Sequence, residues 1–96
     1  MIFSDWLMAD AIFAGTRLQE ISATGADFRR ALMHGASLQD AVMIGANFED
    51  AELIIARLEG ADMSAANFEG AMLDRANLRG TVFNGAILTE ILFSYP

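Results

Sequence analysis

Ninety-six residues, 54% of them hydrophobic and 20% charged, make one small domain that is too apolar to stay disordered. A net charge of −7, with arginine but no lysine, argues against direct binding to nucleic acid, which needs clustered basic groups to displace counterions, and favours a basic protein partner. The absence of cysteine removes disulfides, thiol nucleophiles and zinc-finger spacings, while the lack of a basic leader and of any long apolar run points to a cytoplasmic chain that neither enters a membrane nor leaves by a signal peptide.

Taken from the N-terminus, the chain keeps a five-residue rhythm, loosely at first. In residues 1–25, Met1, Trp6, Thr16 and Ile21 stand where later segments carry alanine, and Ala23 stands where they carry a large residue. From Ala26 to Ala76 every fifth residue is alanine without exception. Two positions after each comes a large apolar residue, as in Phe28, Met33, Leu38, Met43, Phe48, Leu53 and Leu58. All eight glycines fall in one other phase of the same period. The rhythm is strict over residues 26–90 and loosens again in "ILFSYP" (91–96), where Pro96 lacks the N–H a continuing strand would use.

A five-residue step turns a helix by about 500°, so successive leucines would spiral around the axis and form no buried face. Recurrent glycine would also cost a helix interior about 1 kcal/mol at each occurrence. The period therefore predicts an all-β repeat.

The stretches "GADFRRALMHGASLQDA" and "GANFEDAELIIARLEGADM" resemble the A(D/N)Lxx motif of the pentapeptide-repeat family. That resemblance implies a right-handed quadrilateral β-helix in which four pentapeptides make one square coil, with the alanine and the central residue pointing inward and the other three outward. Independently, Phe28, Phe48 and Phe68 recur every twenty residues and would stack in one interior column. At about 4.8 Å per coil, residues 1–96 would form a single domain of almost five coils, about 23 Å tall. Trp6 is too large for an inward corner, so its indole is expected to cap the open first coil. The coil ends are expected either to meet another subunit or to belong to a longer chain.

Sorted by coil, the outward residues make four unequal faces. One is acidic: Asp10, Asp27, Glu49, Asp50, Glu69 and Glu90 against Arg29 and Arg30, six acids less two arginines, for a local charge of −4. Stacking is expected to set Arg29 beside Glu49 and Arg30 between Asp10 and Asp50. The next face is apolar. Ile54 and Ile55 occupy positions where neighbouring repeats carry Glu, Asp or Gly, and with Ile12, Leu32, Met72, Leu92 and Tyr95 they form a stripe. Such a stripe covers only about 300 Å², against roughly 800 Å² per partner in a standard interface, so it is either a set of ordinary surface hydrophobes or a docking face able to hold at most a weak homodimer. The third face is polar with no net charge, and the fourth, which holds Val42, Ile44, Val82 and Asn84, is mixed.

A square prism offers flat or convex faces, whereas catalysis needs convergent groups in a concave site. His34 is the only histidine, the five serines have no evident base, and the glycines are spaced by the repeat and not as a phosphate loop. The expectation is a protein with no catalytic residues, metal or cofactor. Its role is then that of a structural or protein-interaction module, acting through the apolar face and the open ends. An alternative follows from the resemblance, since some members of the family mimic the charge and width of duplex DNA and bind DNA gyrase. The acidic face suits that reading.

Overall fold

A computed structural model describes residues 7–92, so Trp6 and Tyr95, the expected end cap and the last residue of the expected stripe, lie outside the described residues. The chain is the all-β repeat that the period predicts, wound as the quadrilateral β-helix that the resemblance implies. Single parallel bridges join residues twenty apart, as in the ladders Leu7–Asp27–Asn47–Asn67–Ile87 and Ile12–Leu32–Glu52–Met72–Leu92.

Each side of a coil is one short extended segment and each corner is a four-residue turn. The turn that follows Phe48 closes with the Ala51 N–H donating to the Phe48 carbonyl at 3.0 Å. Its third residue, Asp50, has a φ of 58°. Every residue in that phase from Asp10 to Glu90, seventeen in all (nine non-glycine and eight glycine), has a positive φ between 55° and 72°. A positive φ at the third position is the mark of a type II turn, and it is why every glycine collects in this phase.

Between coils, the Phe48 N–H donates to the Asn67 carbonyl at 2.7 Å and the Asn47 N–H to the Ala26 carbonyl at 2.9 Å. The D/N of the repeat motif has its own local work. Side-chain oxygens of Asp27, Asn47, Asp62, Asn67 and Asn77 each accept the backbone N–H two residues on, at 2.9–3.1 Å. A short polar side chain thereby steadies the entry to the turn.

The interior is filled column by column. Phe28, Phe48 and Phe68 stack with ring centroids 5.1 and 4.9 Å apart and nearly parallel planes. Phe13 and Phe83 close the stack edge-on at 5.9 and 5.7 Å. Met33, Met43, Met63, Leu38, Leu53 and Leu58 are fully buried, as is every corner alanine from Ala26 to Ala71. Thr81 takes an alanine position and satisfies its hydroxyl by donating to the Leu58 carbonyl at 2.7 Å. Burial fades after Leu73: Leu78 and Leu88, although in the inward phase, are partly exposed because no described coil covers them.

Candidate interaction surfaces

On the acidic face the arginines neutralise only one end. Arg29 folds back on its own turn and grips Asp27 with Nε at 2.9 Å from Oδ1 and Nη2 at 2.7 Å from Oδ2. This corrects the expected Arg29–Glu49 ladder. Asp27 is two residues away on a turn whose backbone already aims it at Arg29, and a two-pronged local pair outcompetes a reach to the next coil. Arg30 crosses one coil to Asp10 at 2.8 and 3.1 Å, and forms no bond to Asp50. The Arg29 side chain, helped by its backbone N–H, holds the Asp27 carboxyl below the usual carboxylate range, and the Arg30 side chain does the same for Asp10. Glu49, Asp50, Glu69 and Glu90 have no ion pair among the described residues. The uncompensated charge is thus gathered in the C-terminal half of this face.

The apolar face is not one stripe. In its bridge column Glu52 sits between Leu32 and Met72, and its Oε1 lies 2.9 Å from His34 Nε2. Ile12 and Leu92 lie at the two ends and are well exposed, while Leu32, Ile54 and Met72 are half-buried. Ile54 and Ile55 occupy the turn, beside that column and not within it. What the sequence did not reveal is the backbone of Ile55. It has a φ of 61°, a left-handed conformation that a β-branched residue adopts only under strain of about 1–2 kcal/mol, and its side chain is 53% exposed. The phase was the available signal, because Ile55 stands in the glycine phase. A second feature absent from the face-by-face sorting is the apolar rim of the last coil, where Val82, Ile87, Leu88 and Leu92 are exposed together.

Among the described residues there is no pocket, no group of three metal-ligating side chains, and no helix long and apolar enough to cross a membrane. A square β-solenoid with flat faces and turn-borne side chains defines a class of repeat scaffold. The chain belongs to the pentapeptide repeat family, whose profile matches eight copies over residues 11–50 and 51–90. The fold of that family is the right-handed quadrilateral β-helix described above.

Three solved structures illustrate the likeness. A pentapeptide repeat protein from Nostoc Pcc 7120 is 31% identical with a TM-score of 0.77, over 78% of this chain and 62% of that one. HetL, a pentapeptide repeat protein involved in heterocyst differentiation regulation from Nostoc sp. strain PCC 7120, is 32% identical with a TM-score of 0.52, over 94% and 46%. QnrB1, a plasmid-mediated fluoroquinolone resistance protein, shares the fold at 21% identity and a TM-score of 0.54, over 93% and 61%. The chain therefore spans between about half and two thirds of the length of these structures. No curated protein sequence matches it.

Proposed function

We propose that this chain is a non-catalytic interaction module that docks to a protein partner, or to itself, through its outward apolar side chains and its coil ends. It works as a single domain of residues 1–96, in the cytoplasm and without a cofactor. The observation that carries the reading is Ile55. A strained, exposed β-branched side chain in a phase otherwise suited to glycine does nothing for the fold, and strain of this kind gathers where a surface is used. Ile54 beside it, with Leu32 and Met72 on the same face, makes a small apolar contact area split by the Glu52–His34 pair.

A photo-crosslinking residue placed at Met72, in cells that make the protein, is expected to yield a defined protein adduct. The adduct should disappear when Ile54→Glu and Ile55→Gly are introduced together, and should not form from Asn84 on the opposite face. No adduct from Met72 under any growth condition would count against this surface.

The second reading, modulation of DNA gyrase by DNA mimicry, is favoured by one observation: among the described residues Glu49, Asp50, Glu69 and Glu90 form no ion pair with an arginine. Micromolar protein is then expected to alter gyrase supercoiling, and reversal of Glu49, Asp50 and Glu69 to lysine to abolish the effect while the β-type circular dichroism spectrum persists. A wild-type protein without effect on supercoiling removes this reading.

A further inference from the structure

Outward side chains are ordinarily exposed in this fold, as Val42 is with a coil on each side, so exposure by itself marks nothing. The face around Ile54 and Ile55, in the middle coils, is set apart by its backbone, its spacing and its charge. Its backbone bonds are already spent. The N–H groups of Leu32, Glu52 and Met72 donate to the Ala11, Ala31 and Ala51 carbonyls at 2.9 Å, and their own carbonyls accept the N–H groups of Phe13, Met33 and Leu53 at 2.7–2.8 Å. An added β-strand, which needs free backbone groups, has nothing to pair with here. An occupant is therefore held by side chains alone, and its own backbone has to be satisfied internally, as it is in an α-helix.

The apolar side chains also step along the rod at helical spacing. Leu32, the Ile54–Ile55 pair and Met72 stand on three successive coils. Those coils are as far apart as the stacked phenylalanine rings, 5.1 and 4.9 Å. An α-helix laid along the rod axis rises about 10.5 Å from i to i+7, against two coil steps of about 10 Å, so residues i, i+4 and i+7 reach all three coils. A strand laid the same way repeats a face only every ~6.7 Å and is out of step by the third coil.

Charge is divided across this face. On one side of Ile54 and Ile55 lies Glu52, then Asp50 beyond the corner, with Glu49 and Glu69 next in line. Glu49, Asp50 and Glu69 form no ion pair among the described residues. Gly70 leaves the place of a Cβ to the Asp50 carboxylate, which sets that charge two residues before Met72. On the other side stand Arg75 and Arg57, the latter paired with Glu59 at 3.2 Å. Two copies of this chain, each with a net charge of −7, repel one another on approach, whereas a basic segment is drawn to the acidic flank.

We infer that this face receives an amphipathic α-helix of a basic partner protein, laid along the rod axis with apolar residues i, i+4 and i+7 on Leu32, Ile54–Ile55 and Met72 and with lysine or arginine on the flank that meets Glu52, Asp50 and Glu69. This rests on the interaction reading above and names the partner's chemistry. Where a glycine would leave the turn bare, Ile55, at a φ of 61°, adds a side chain to the ridge on which the helix lies. Because the acids stand on one flank only, they also set the direction in which the helix runs. The contact is small, so the affinity is micromolar and not tighter.

The test is fluorescence anisotropy of a labelled synthetic peptide of about 18 residues, titrated with the 96-residue chain. The peptide carries leucine at i, i+4, i+7 and i+11 and lysine directly after each leucine, which gathers lysine on one flank, with alanine and glutamine elsewhere. Micromolar binding is expected, with a gain of helical circular dichroism in the peptide and a loss of affinity as salt rises. Ile54→Glu combined with Ile55→Gly, the pair the repeat itself carries at Glu69–Gly70, should weaken binding by at least about tenfold. Ile54→Glu alone is the second variant should the double change disturb the β-type spectrum. Asp50→Asn with Glu69→Gln should weaken binding severalfold and flatten its salt dependence. A peptide of the same composition with leucine at every second position should bind at least about tenfold more weakly, and glutamate in place of lysine should abolish binding.

Binding that the changes at Ile54 and Ile55 leave intact is plain charge attraction and overturns the inference. Equal or tighter binding of the alternating peptide also overturns it. So does a light-scattering mass that doubles with concentration and returns to the monomer in the Ile54→Glu, Ile55→Gly variant, which would make a second copy the occupant. If the helical peptide does not bind and the Met72 adduct still forms in cells, the helix is the wrong occupant while the interaction reading stands. If that adduct is absent as well, both fall.

Discussion

Phe48→Ala is expected to lower the stability of the domain by about 3–5 kcal/mol, read as a fall in the urea midpoint with little change in slope. Phe48 is fully buried with a ring stacked 5.1 Å from Phe28 on one side and 4.9 Å from Phe68 on the other. Removing the ring leaves a gap that the surroundings cannot easily close, because the coils are held at fixed spacing by bonds such as Phe48 N–H to Asn67 carbonyl at 2.7 Å and Phe68 N–H to Ile87 carbonyl at 2.8 Å. The cost therefore sits near the top of the range for such truncations and is a large part of the roughly 5–15 kcal/mol that holds a domain together. Asn47→Ala is the matched control. It removes one side-chain bond to the Glu49 N–H at 3.0 Å and leaves the interior untouched, so its cost is about 1 kcal/mol. Equal costs for the two changes would contradict the assignment of Phe48 inward and Asn47 outward.

The interior was legible because one period controls both backbone and burial. Alanine at every fifth position and a large apolar residue two later carry the family resemblance that implies the inward columns, and the twenty-residue return of phenylalanine independently points to the ring stack. The surfaces were less legible, for physical reasons that differ from case to case. Sorting outward residues by the side of the square puts three separate columns together, so Glu52 between Leu32 and Met72 went unseen as an interruption and Ile54 and Ile55 passed for members of that column. Coil stacking alone points Arg29 toward Glu49, but the freedom of a long side chain decides its partner. Its long side chain returns to Asp27 in the same turn. The left-handed corner at Ile55 was within reach, since the glycine phase was plain. What hid it is that Asp, Glu and Arg in the same phase draw no notice, although each has a positive φ as well. The exposure of Leu78 and Leu88 depends on what lies above the last coil, which the repeat pattern does not encode.

Ala51→Leu is expected to cost about 1–3 kcal/mol, at the upper end of that range, by overfilling a corner of the square. Ala51 is fully buried, as are Ala31 and Ala71 one coil below and one coil above it. Its N–H donates to the Phe48 carbonyl at 3.0 Å and its carbonyl accepts the Met72 N–H at 2.9 Å, so the backbone on both sides of the residue is tied. Extra methyl groups would have to displace either a neighbouring alanine's backbone or the stacked rings. Neither can move without breaking the regular inter-coil bonds, whereas a helix or an open sheet could shift to make room. Volume alone is thus the predicted cause, and Ala51→Ser separates it from polarity. Thr81 shows that a hydroxyl is accepted at such a corner when it donates to the carbonyl twenty-three residues back, at 2.7 Å. The equivalent acceptor for a serine at 51 is the Phe28 carbonyl, whose bond from the Ala31 N–H leaves a lone pair free. Ala51→Ser should therefore remain within about 1 kcal/mol of wild type in urea unfolding, while Ala51→Leu falls well below it. A leucine tolerated as well as the serine would mean that the corners are loosely packed, and that alanine is there for some reason other than space.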